Sequence, residues 1–453
     1  MASTYLKRDI TSDGNKKIFT FSMWVKRGTL GSEQRLLMGY DAGSGEEFFQ
    51  FNSNDKMKFA SSNGTLYLSD VDSTRVFRDT SAWYHLVLAY DSTQATDTNR
   101  IKLYVNGEQE TIDSSPGGFP SQNTDILFWN TSGDDIDIGG RSELNNLYFD
   151  GQMSHIHFID GTAYDATAFG QYDANGVWTI NTSPSVTYGT NGFFILKDGN
   201  SVTDQSGNSN NFTVAGGTLT NTEDSPSNVF PTFGNGNIIP NNSTNSFSQG
   251  SLTLTNSTDI WQSEILPFAF SSGKYYWEVK LNHNGSDPRI GLGTMNDSNF
   301  NINTSGNNSF FRNQTGGYGF HSGGSGGDYV YANGSSIGGT QTSNFDAING
   351  TICGIAVDCD NKRMYLSVNG TWENSANPSN GTNPYDVSSG WTTGDLMFPF
   401  ITTHNSIVDF NFGNGYFGTT AVSSAGTNAS GIGIFEYDVP TGYTALSTKG
   451  LNL

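Results

Sequence analysis

The chain has 453 residues with 43 Asp and Glu against 22 Lys and Arg, so its formal net charge is -21. Such an acidic surface repels phosphate backbones and anionic lipid, which argues against nucleic acid and membrane partners, and no run of about 18 apolar residues is present to cross a bilayer. The 55 glycines, with Asn, Ser and Thr between short apolar runs, predict a turn-rich all-β fold.

The first informative strand is predicted from Phe19 to Val25, where apolar and polar residues alternate with a period of two. The apolar run from Trp83 to Asp91 predicts a central strand of a sheet. Ile101 to Val105 also alternates, and the following Asn106 and Gly107 indicate a tight hairpin turn. Further strands are predicted at Asp135 to Gly139 and at Gly151 to Asp160, and strands this short favour a β-sandwich.

These strands carry an ordered set of motifs: Phe19 to Lys26, Trp83 to Val87, Leu103 to Gly107, Ile138 to Gly140, and Phe149 to Met153. The set resembles the strand signatures of LamG-like, concanavalin A-type jelly-roll domains, which implies a first domain over residues 1–165. The resemblance also implies that His85 lies in the packed sheet and that His155 and His157 face solvent. A His-x-His pair can hold zinc, but a third ligand is not apparent, so we do not predict a metal site here.

Residues 166–261 are predicted to be an irregular connector, because aromatic residues are scattered among polar ones. Three of its segments, Tyr188 to Phe194, Asp204 to Thr213 and Asp224 to Asn228, resemble the connector that follows such jelly rolls in structural proteins of marine bacteriophages. The resemblance implies a viral origin. The alternative is an ordinary linker rich in Asn, Gly and Ser.

A second sandwich is predicted over residues 262–453. It carries the motifs Lys274 to Val279, Ile290 to Gly293, Gly317 to Phe320, Ile352 to Asp358, Met364 to Gly370, Phe398 to Phe400, and Val408 to Gly413. Their order resembles that of SPRY domains, and the segment Pro440 to Leu446 resembles the ending of phage SPRY modules. The predicted fold is therefore two β-sandwiches, a jelly roll and a SPRY-type domain, joined by the connector.

We do not predict an enzyme. Glu436 and Asp438 would present two carboxylates on one strand face, as in jelly-roll glycoside hydrolases, but the second catalytic glutamate that such enzymes need is replaced by Val439 and Pro440. The glycine-rich loop 323–327 lacks the lysine and the following helix that phosphate binding requires. No nucleophile elbow or dinucleotide fingerprint occurs either.

Sugar binding usually needs an exposed ring and planar polar groups beside it. Aromatic and polar residues in loop-like segments are therefore the candidate glycan-binding residues: Trp129, Asn130, Asp134, Tyr329, Tyr331 and Trp391. For each ring the alternative is packing in the core. Asp134, Asp135 and Asp137 could ligate calcium, the alternative being a solvated turn, and no other cofactor is expected.

These features together predict a compact accessory protein on the surface of a bacteriophage particle, docked on capsid or tail. We expect it to bind host surface polysaccharide or other virion proteins, to form a homo-oligomer in the particle, and to reach the outside of the cell by lysis, because no secretory signal is apparent. A purely structural capsid decoration protein and a polysaccharide depolymerase are the two alternatives.

Overall fold

The computed structural model describes residues 3–197, 199, 201–234, 245–282, 288–294, 315–322, 329–337, 345 and 349–452. The glycine-rich loop 323–327 and part of the predicted connector, 235–244, lie outside these residues. The chain forms two compact units, an amino-terminal unit of residues Met1–Asn221 and a carboxy-terminal unit of residues Thr222–Leu453.

The amino-terminal unit is built from short strands. In chain order they are β1 (Tyr5–Asp9), β2 (Ile18–Arg27), β3 (Gln34–Asp41), β4 (Gly45–Phe51), β5 (Lys56–Ser62), β6 (Tyr67–Val76), β7 (Tyr84–Asp91), β8 (Ile101–Val105), β9 (Glu108–Gln109), β10 (Ile112–Gly118), β11 (Asp135–Ile138), β12 (Gly151–Asp160), β13 (Gly170–Tyr172), β14 (Trp178–Ile180), β15 (Phe193–Ile195) and β16 (Thr213–Gly216).

Two sheets of this unit pack against each other. One has the strand order β10-β6-β5-β4-β3-β11-β1-β16 and the other β15-β12-β2-β7-β8-β9. The alternating residues of β2 explain the packing, because Phe19 and Phe21 point into the core and contact Phe59 and Phe49 of the opposite sheet, with ring centroids 6.4 and 6.0 Å apart. The strands predicted at Phe19 to Val25 and Trp83 to Asp91 are therefore confirmed as β2 and β7.

The carboxy-terminal unit is also built from strands. They are β17 (Ser246–Ser248), β18 (Thr253–Asn256), β19 (Gln262–Ile265), β20 (Lys274–Leu281), β21 (Arg289–Thr294), β22 (Gly317–His321), β23 (Tyr329–Ala332), β24 (Ser335–Ser336), β25 (Thr351–Asp358), β26 (Arg363–Val368), β27 (Thr371–Trp372), β28 (Tyr385–Asp386), β29 (Met397–Thr403), β30 (Ser406–Asn411), β31 (Tyr416–Phe417), β32 (Thr420–Ala421) and β33 (Thr444–Ala445).

Two sheets form the core of this unit as well. The first has the order β17-β18-β30-β20-β25-β26-β27, with β28 beside β26 and β33 beside β20, and the second has the order β19-β29-β21-β22-β23-β24. Trp277, Leu292 and Tyr318 belong to one buried cluster between them. The turn at Asn369 and Gly370 has φ values of 46° and 80°, which is the geometry that a two-residue hairpin needs.

The residues predicted to form a connector are divided between the two units. In the amino-terminal unit β15 pairs with β12 and β16 pairs with β1, so this part of the chain adds edge strands to both sheets. Phe230 and Phe233 lie in the core of the carboxy-terminal unit, and β18 pairs with β30.

Helix is scarce in the described part of the chain. It is limited to single 3-10 turns at Asp97–Asn99, Ala166–Ala168, Glu373–Ser375, Pro378–Asn380 and Gly450–Asn452. None of the described helices is long and apolar enough to cross a membrane.

Candidate functional site

Trp129 and Asn130, predicted to face a sugar, are buried. The Trp129 side chain has no exposed area and packs edge-on against Phe19, with ring centroids 5.5 Å apart. The Asn130 amide donates a hydrogen bond of 3.1 Å to Asp160 and is equally buried. The expectation that Trp129 lies in an exposed loop is wrong, because apolar side chains from strands distant in sequence enclose it.

Trp391 is also part of a core and not of an exposed loop. Its side chain is 3% exposed and contacts Tyr318, with ring centroids 5.4 Å apart. The polar residues beside it in sequence suggested solvent, whereas its neighbours in space are apolar. Of the two interpretations offered for Trp391, packing in the core therefore agrees with the structure and an exposed glycan-binding ring does not.

Tyr329 and Tyr331 lie on β23, beside β22. Tyr329 is 39% exposed and Tyr331 is 7% exposed. The His321 ring lies near both, with centroids 6.2 Å from Tyr329 and 6.1 Å from Tyr331. Among the four rings predicted from the sequence, only Tyr329 offers substantial surface, and its role in glycan binding stays a prediction.

The three aspartates suggested for calcium binding have different surroundings. Asp135 pairs with Lys7 at 2.5 Å, whereas burial raises the pKa of Asp137 to about 6. The pKa of Asp134 is raised by burial and then by Asp135 and other nearby acids. No group of three or more His, Cys, Asp or Glu able to hold a metal ion is found among the described residues, so these aspartates do not form one.

His157, expected to face solvent, is 2% exposed. A register shift between Ser154 and His157 interrupts the pairing of β12 with β2. The His157 ring stacks on Phe194 with centroids 3.9 Å apart, and its Nδ1 is 3.0 Å from the Tyr188 hydroxyl. Burial lowers the pKa of His157 well below its ordinary range, which makes it a packed neutral side chain.

A cavity of about 540 Å³ opens in the carboxy-terminal unit, within the range of about 300–1,000 Å³ that is typical of small-molecule sites. It lies between the β26–β27 hairpin and an irregular segment that crosses the outer face of the sheet. Its lining consists of aromatic rings, hydroxyls, small residues and two carboxylates: Tyr276, Ser367, Gly370, Trp372, Ser424, Ala425, Gly426, Glu436, Tyr437 and Asp438.

The floor of the cavity is set by the alternation of β20. Trp277 and Val279 point into the core, so Tyr276 and Glu278 occupy the outer face. Both are completely buried because the segment containing Glu436 and Tyr437 lies over them. The register of β20 and β25 pairs Tyr276 with Ala356 and Glu278 with Gly354. Because these partners are small, the segment containing Glu436 and Tyr437 can pack closely against this face of the sheet.

Glu278 holds that segment in place. Its carboxylate accepts hydrogen bonds of 2.9 Å from the backbone N–H of Glu436 and of Tyr437, and it also accepts from the Tyr276 hydroxyl at 3.0 Å and the Asn411 amide at 3.2 Å. Burial raises the pKa of Glu278 to about 7, although these hydrogen bonds lower it. The irregular wall of the cavity is thus attached to the sheet by this buried carboxyl group, and also by the hydrogen bond of 3.0 Å that the Asn411 amide donates to the Ile434 carbonyl.

Glu436 and Asp438 do not lie on a strand, contrary to prediction. Glu436 accepts hydrogen bonds from the backbone N–H of Ser423, at 2.9 Å, and from the Ser423 hydroxyl. The Oδ1 atom of Asp438 accepts from the backbone N–H of Thr427 at 2.6 Å and from its hydroxyl at 2.8 Å. Both carboxylates therefore stabilise neighbouring loops at the rim of the cavity.

The rings of Trp372 and Tyr437 complete the cavity and are only partly buried. Together with the carboxylates they offer apolar faces and hydrogen-bond acceptors to a small polar ligand. Sequence reasoning missed Trp372, Tyr437 and Glu278. A signal was available for Trp372, because it lies two residues after the Asn-Gly turn of a hairpin. The burial of Glu278, in contrast, depends on a covering segment without regular structure.

The comparisons with solved structures give low global similarity. The chain has a TM-score of 0.28 and 13% identity to the SPRY domain of human HERC1, covering 37% of this chain and 92% of that one. For the native heptameric SAP-like pentraxin from Limulus polyphemus the TM-score is 0.27 and the identity 13%, covering 36% of this chain and 72% of that one. For the TRIM65 PSpry domain the TM-score is 0.28 and the identity 13%, covering 40% of this chain and 89% of that one.

No curated protein shows significant sequence similarity to the chain. Within the amino-terminal unit, two facing sheets carry the strand motifs noted above in the predicted order. A family match accounts for this part of the chain: residues 2–168 match the concanavalin A-like lectin/glucanases superfamily and form a jelly-roll domain of that type.

Proposed function

We propose that this protein is a non-enzymatic, carbohydrate-binding component of the surface of a bacteriophage particle. The observation that carries the binding function is the cavity of the carboxy-terminal unit, in which the partly buried rings of Trp372 and Tyr437 stand beside the carboxylates of Glu436 and Asp438. Sugars are bound in this way, by stacking on a ring and by hydrogen bonds to planar polar groups.

The virion assignment rests on sequence resemblance. Segments 188–194, 204–213 and 224–228 resemble connectors of marine bacteriophage structural proteins, and 440–446 resembles the ending of phage SPRY modules. We infer that the protein docks on capsid or tail as a homo-oligomer beside other virion proteins and reaches the exterior by host lysis. A capsid decoration protein without a ligand is the second candidate.

The hydrogen bonds that Glu436 and Asp438 accept favour binding without turnover over depolymerase activity. A general acid needs a raised pKa, whereas the backbone N–H and hydroxyl of Thr427 lower the pKa of Asp438. Glu436 is held by both donors of Ser423. Glu436 thus accepts through both of its oxygens, and Asp438 through Oδ1, from residues of their own loops.

Retention of the purified protein on immobilised host surface polysaccharide, combined with a reducing-end assay, tests the proposal. We expect retention without release of sugar, and Trp372→Ala should abolish retention while the circular dichroism spectrum stays that of a β-protein. Tyr329→Ala, which removes an exposed ring that does not line the cavity, should retain binding. Release of sugar would place the protein among depolymerases, and tight association with virion proteins without retention would leave the decoration role.

A further inference from the structure

The carboxylates at the rim of the cavity carry uncompensated charge. Glu436 and Asp438 accept hydrogen bonds from neutral groups of Ser423 and Thr427, and neither forms an ion pair with a described residue. Elsewhere in the unit the acid Asp358 is paired with Lys274 at 3.0 Å. Neither lysine nor arginine occurs among the described residues that line the cavity.

The side chains of the cavity also favour a ligand that donates hydrogen bonds. A carboxylate only accepts, and Oδ2 of Asp438 accepts no hydrogen bond from the described residues, because both donors of Thr427 reach Oδ1. A protonated amine supplies three donors and a positive charge. A neutral sugar hydroxyl supplies one donor and would leave the charge of Asp438 unpaired.

The rings of the cavity add to the attraction for a cation. Trp372 and Tyr437 line it, and the negative face of an aromatic ring attracts an ammonium group placed over it. The pKa of Tyr437 is raised chiefly by burial and to a smaller extent by the nearby acids Glu436 and Glu278.

We propose that the cavity between Trp372 and Asp438 selects an amino sugar, that is, a hexosamine whose amino group is free and protonated. The inference rests on the proposed carbohydrate binding and narrows it to one ligand class. The amino group would lie at the Oδ2 atom of Asp438, and the apolar face of the sugar ring would contact Trp372 or Tyr437.

Calorimetric titration of the full chain with a glucosamine disaccharide tests the proposal, with the N-acetylated disaccharide as the neutral ligand that has the same sugar rings and linkage. At about pH 6 the free amine is protonated, and we expect the glucosamine disaccharide to bind about tenfold more tightly. This preference should shrink as salt is added, because screening weakens a partly exposed ion pair.

Two matched variants locate the effect. Asp438→Asn keeps the Oδ1 acceptor for Thr427 and replaces the charged Oδ2 with a neutral amide NH2 group. It should therefore weaken binding of the glucosamine disaccharide about five- to tenfold and leave the N-acetylated one unchanged. Asp386→Asn removes an exposed acid that is not part of the cavity lining and keeps its acceptor for Ser388. This control should change neither affinity, although it lowers the net negative charge equally.

Several outcomes would overturn the proposal. Equal binding of both disaccharides, unaffected by Asp438→Asn, would leave the carbohydrate function standing and reject the selectivity for an amine. Equal losses in Asp438→Asn and Asp386→Asn would show attraction by overall charge and not by the cavity. If a lysine tripeptide binds as tightly as the glucosamine disaccharide, the ammonium site belongs to a protein ligand. If neither sugar binds, the carbohydrate function at this cavity is rejected as well.

Discussion

The buried carboxyl group of Glu278 makes the stability of the carboxy-terminal unit depend on pH in a direction that can be derived. Burial raises its pKa from the ordinary value of 4.5 to about 7. A group that binds its proton more tightly in the folded state contributes stability that is complete below the unfolded pKa and is lost as the pH rises through the folded pKa. The variant Glu278→Gln has the same shape and cannot titrate.

The size of the effect follows from the same values. Each unit of pKa difference corresponds to about 1.4 kcal/mol, so raising the pH from about 5 to about 8 should lower the free energy of unfolding of the wild type by about 2 to 3 kcal/mol relative to Glu278→Gln. The variant has a separate cost that does not depend on pH. Its amide offers one acceptor oxygen, so either the N–H of Glu436 or that of Tyr437 loses its partner, at about 1–3 kcal/mol.

Denaturant unfolding of the full-length wild type and variant across this pH range measures both effects. The difference between the two proteins cancels other titrating groups that do not contact Glu278. Hydrogen exchange at the amides of Glu436 and Tyr437 should also be faster in the variant, because one of them is no longer bonded. If the wild type instead gains stability over the variant as the pH rises, the four hydrogen bonds outweigh burial and the reasoning is refuted.

Three further predictions concern packing. Trp391→Ala should lower the free energy of unfolding by about 3–5 kcal/mol, whereas Tyr329→Ala should change it by less than about 0.5 kcal/mol; equal effects in chemical denaturation would contradict the burial described for Trp391. Burial lowers the pKa of His85 to about 3, so its ring protons should not shift in NMR spectra between about pH 5 and pH 8, and a titration there would show solvent access. Residues 222–453 should fold as a fragment with cooperative unfolding. Residues 262–453 should not, because they lack core side chains and the strands β17 and β18; a folded shorter fragment would show that these are dispensable.

The regular strands could be predicted because their signal is local. In β2 the alternation of Phe19, Phe21 and Met23 with polar residues specifies both the strand and its core face. The Asn-Gly turn after β8 specifies the hairpin in the same way, and Asn106 has a φ of 49° as that turn requires. Such features need no knowledge of distant parts of the chain.

The exposure of single rings could not be predicted, because it depends on distant residues. Trp129 is followed by polar residues, but Phe19 and Phe59 enclose it from strands far away in sequence. Trp391 shows the same mismatch through its contact with Tyr318. Local polarity indicates a loop backbone, and it does not indicate which way the ring on that loop points.

The predicted connector was irregular in sequence for a related reason. Its strands are three or four residues long, too short to establish a period, and their partners are distant: β16 pairs with β1, and β18 pairs with β30. A short edge strand takes its stability from the existing sheet and needs little intrinsic propensity. Composition alone therefore could not place these residues in the two sandwiches.

Two of the buried glutamates, Glu47 and Glu278, explain how irregular segments obtain fixed positions in both units. When a segment without strand partners packs against a sheet, its buried backbone N–H groups need hydrogen-bond acceptors. Glu47 accepts from the N–H groups of Leu127 and Phe128 at 3.3 and 3.2 Å, and Glu278 does the same for Glu436 and Tyr437. In the carboxy-terminal unit the segment so attached is a wall of the cavity, so the protonation of Glu278 and the occupancy of the cavity should be thermodynamically linked, each shifting the other.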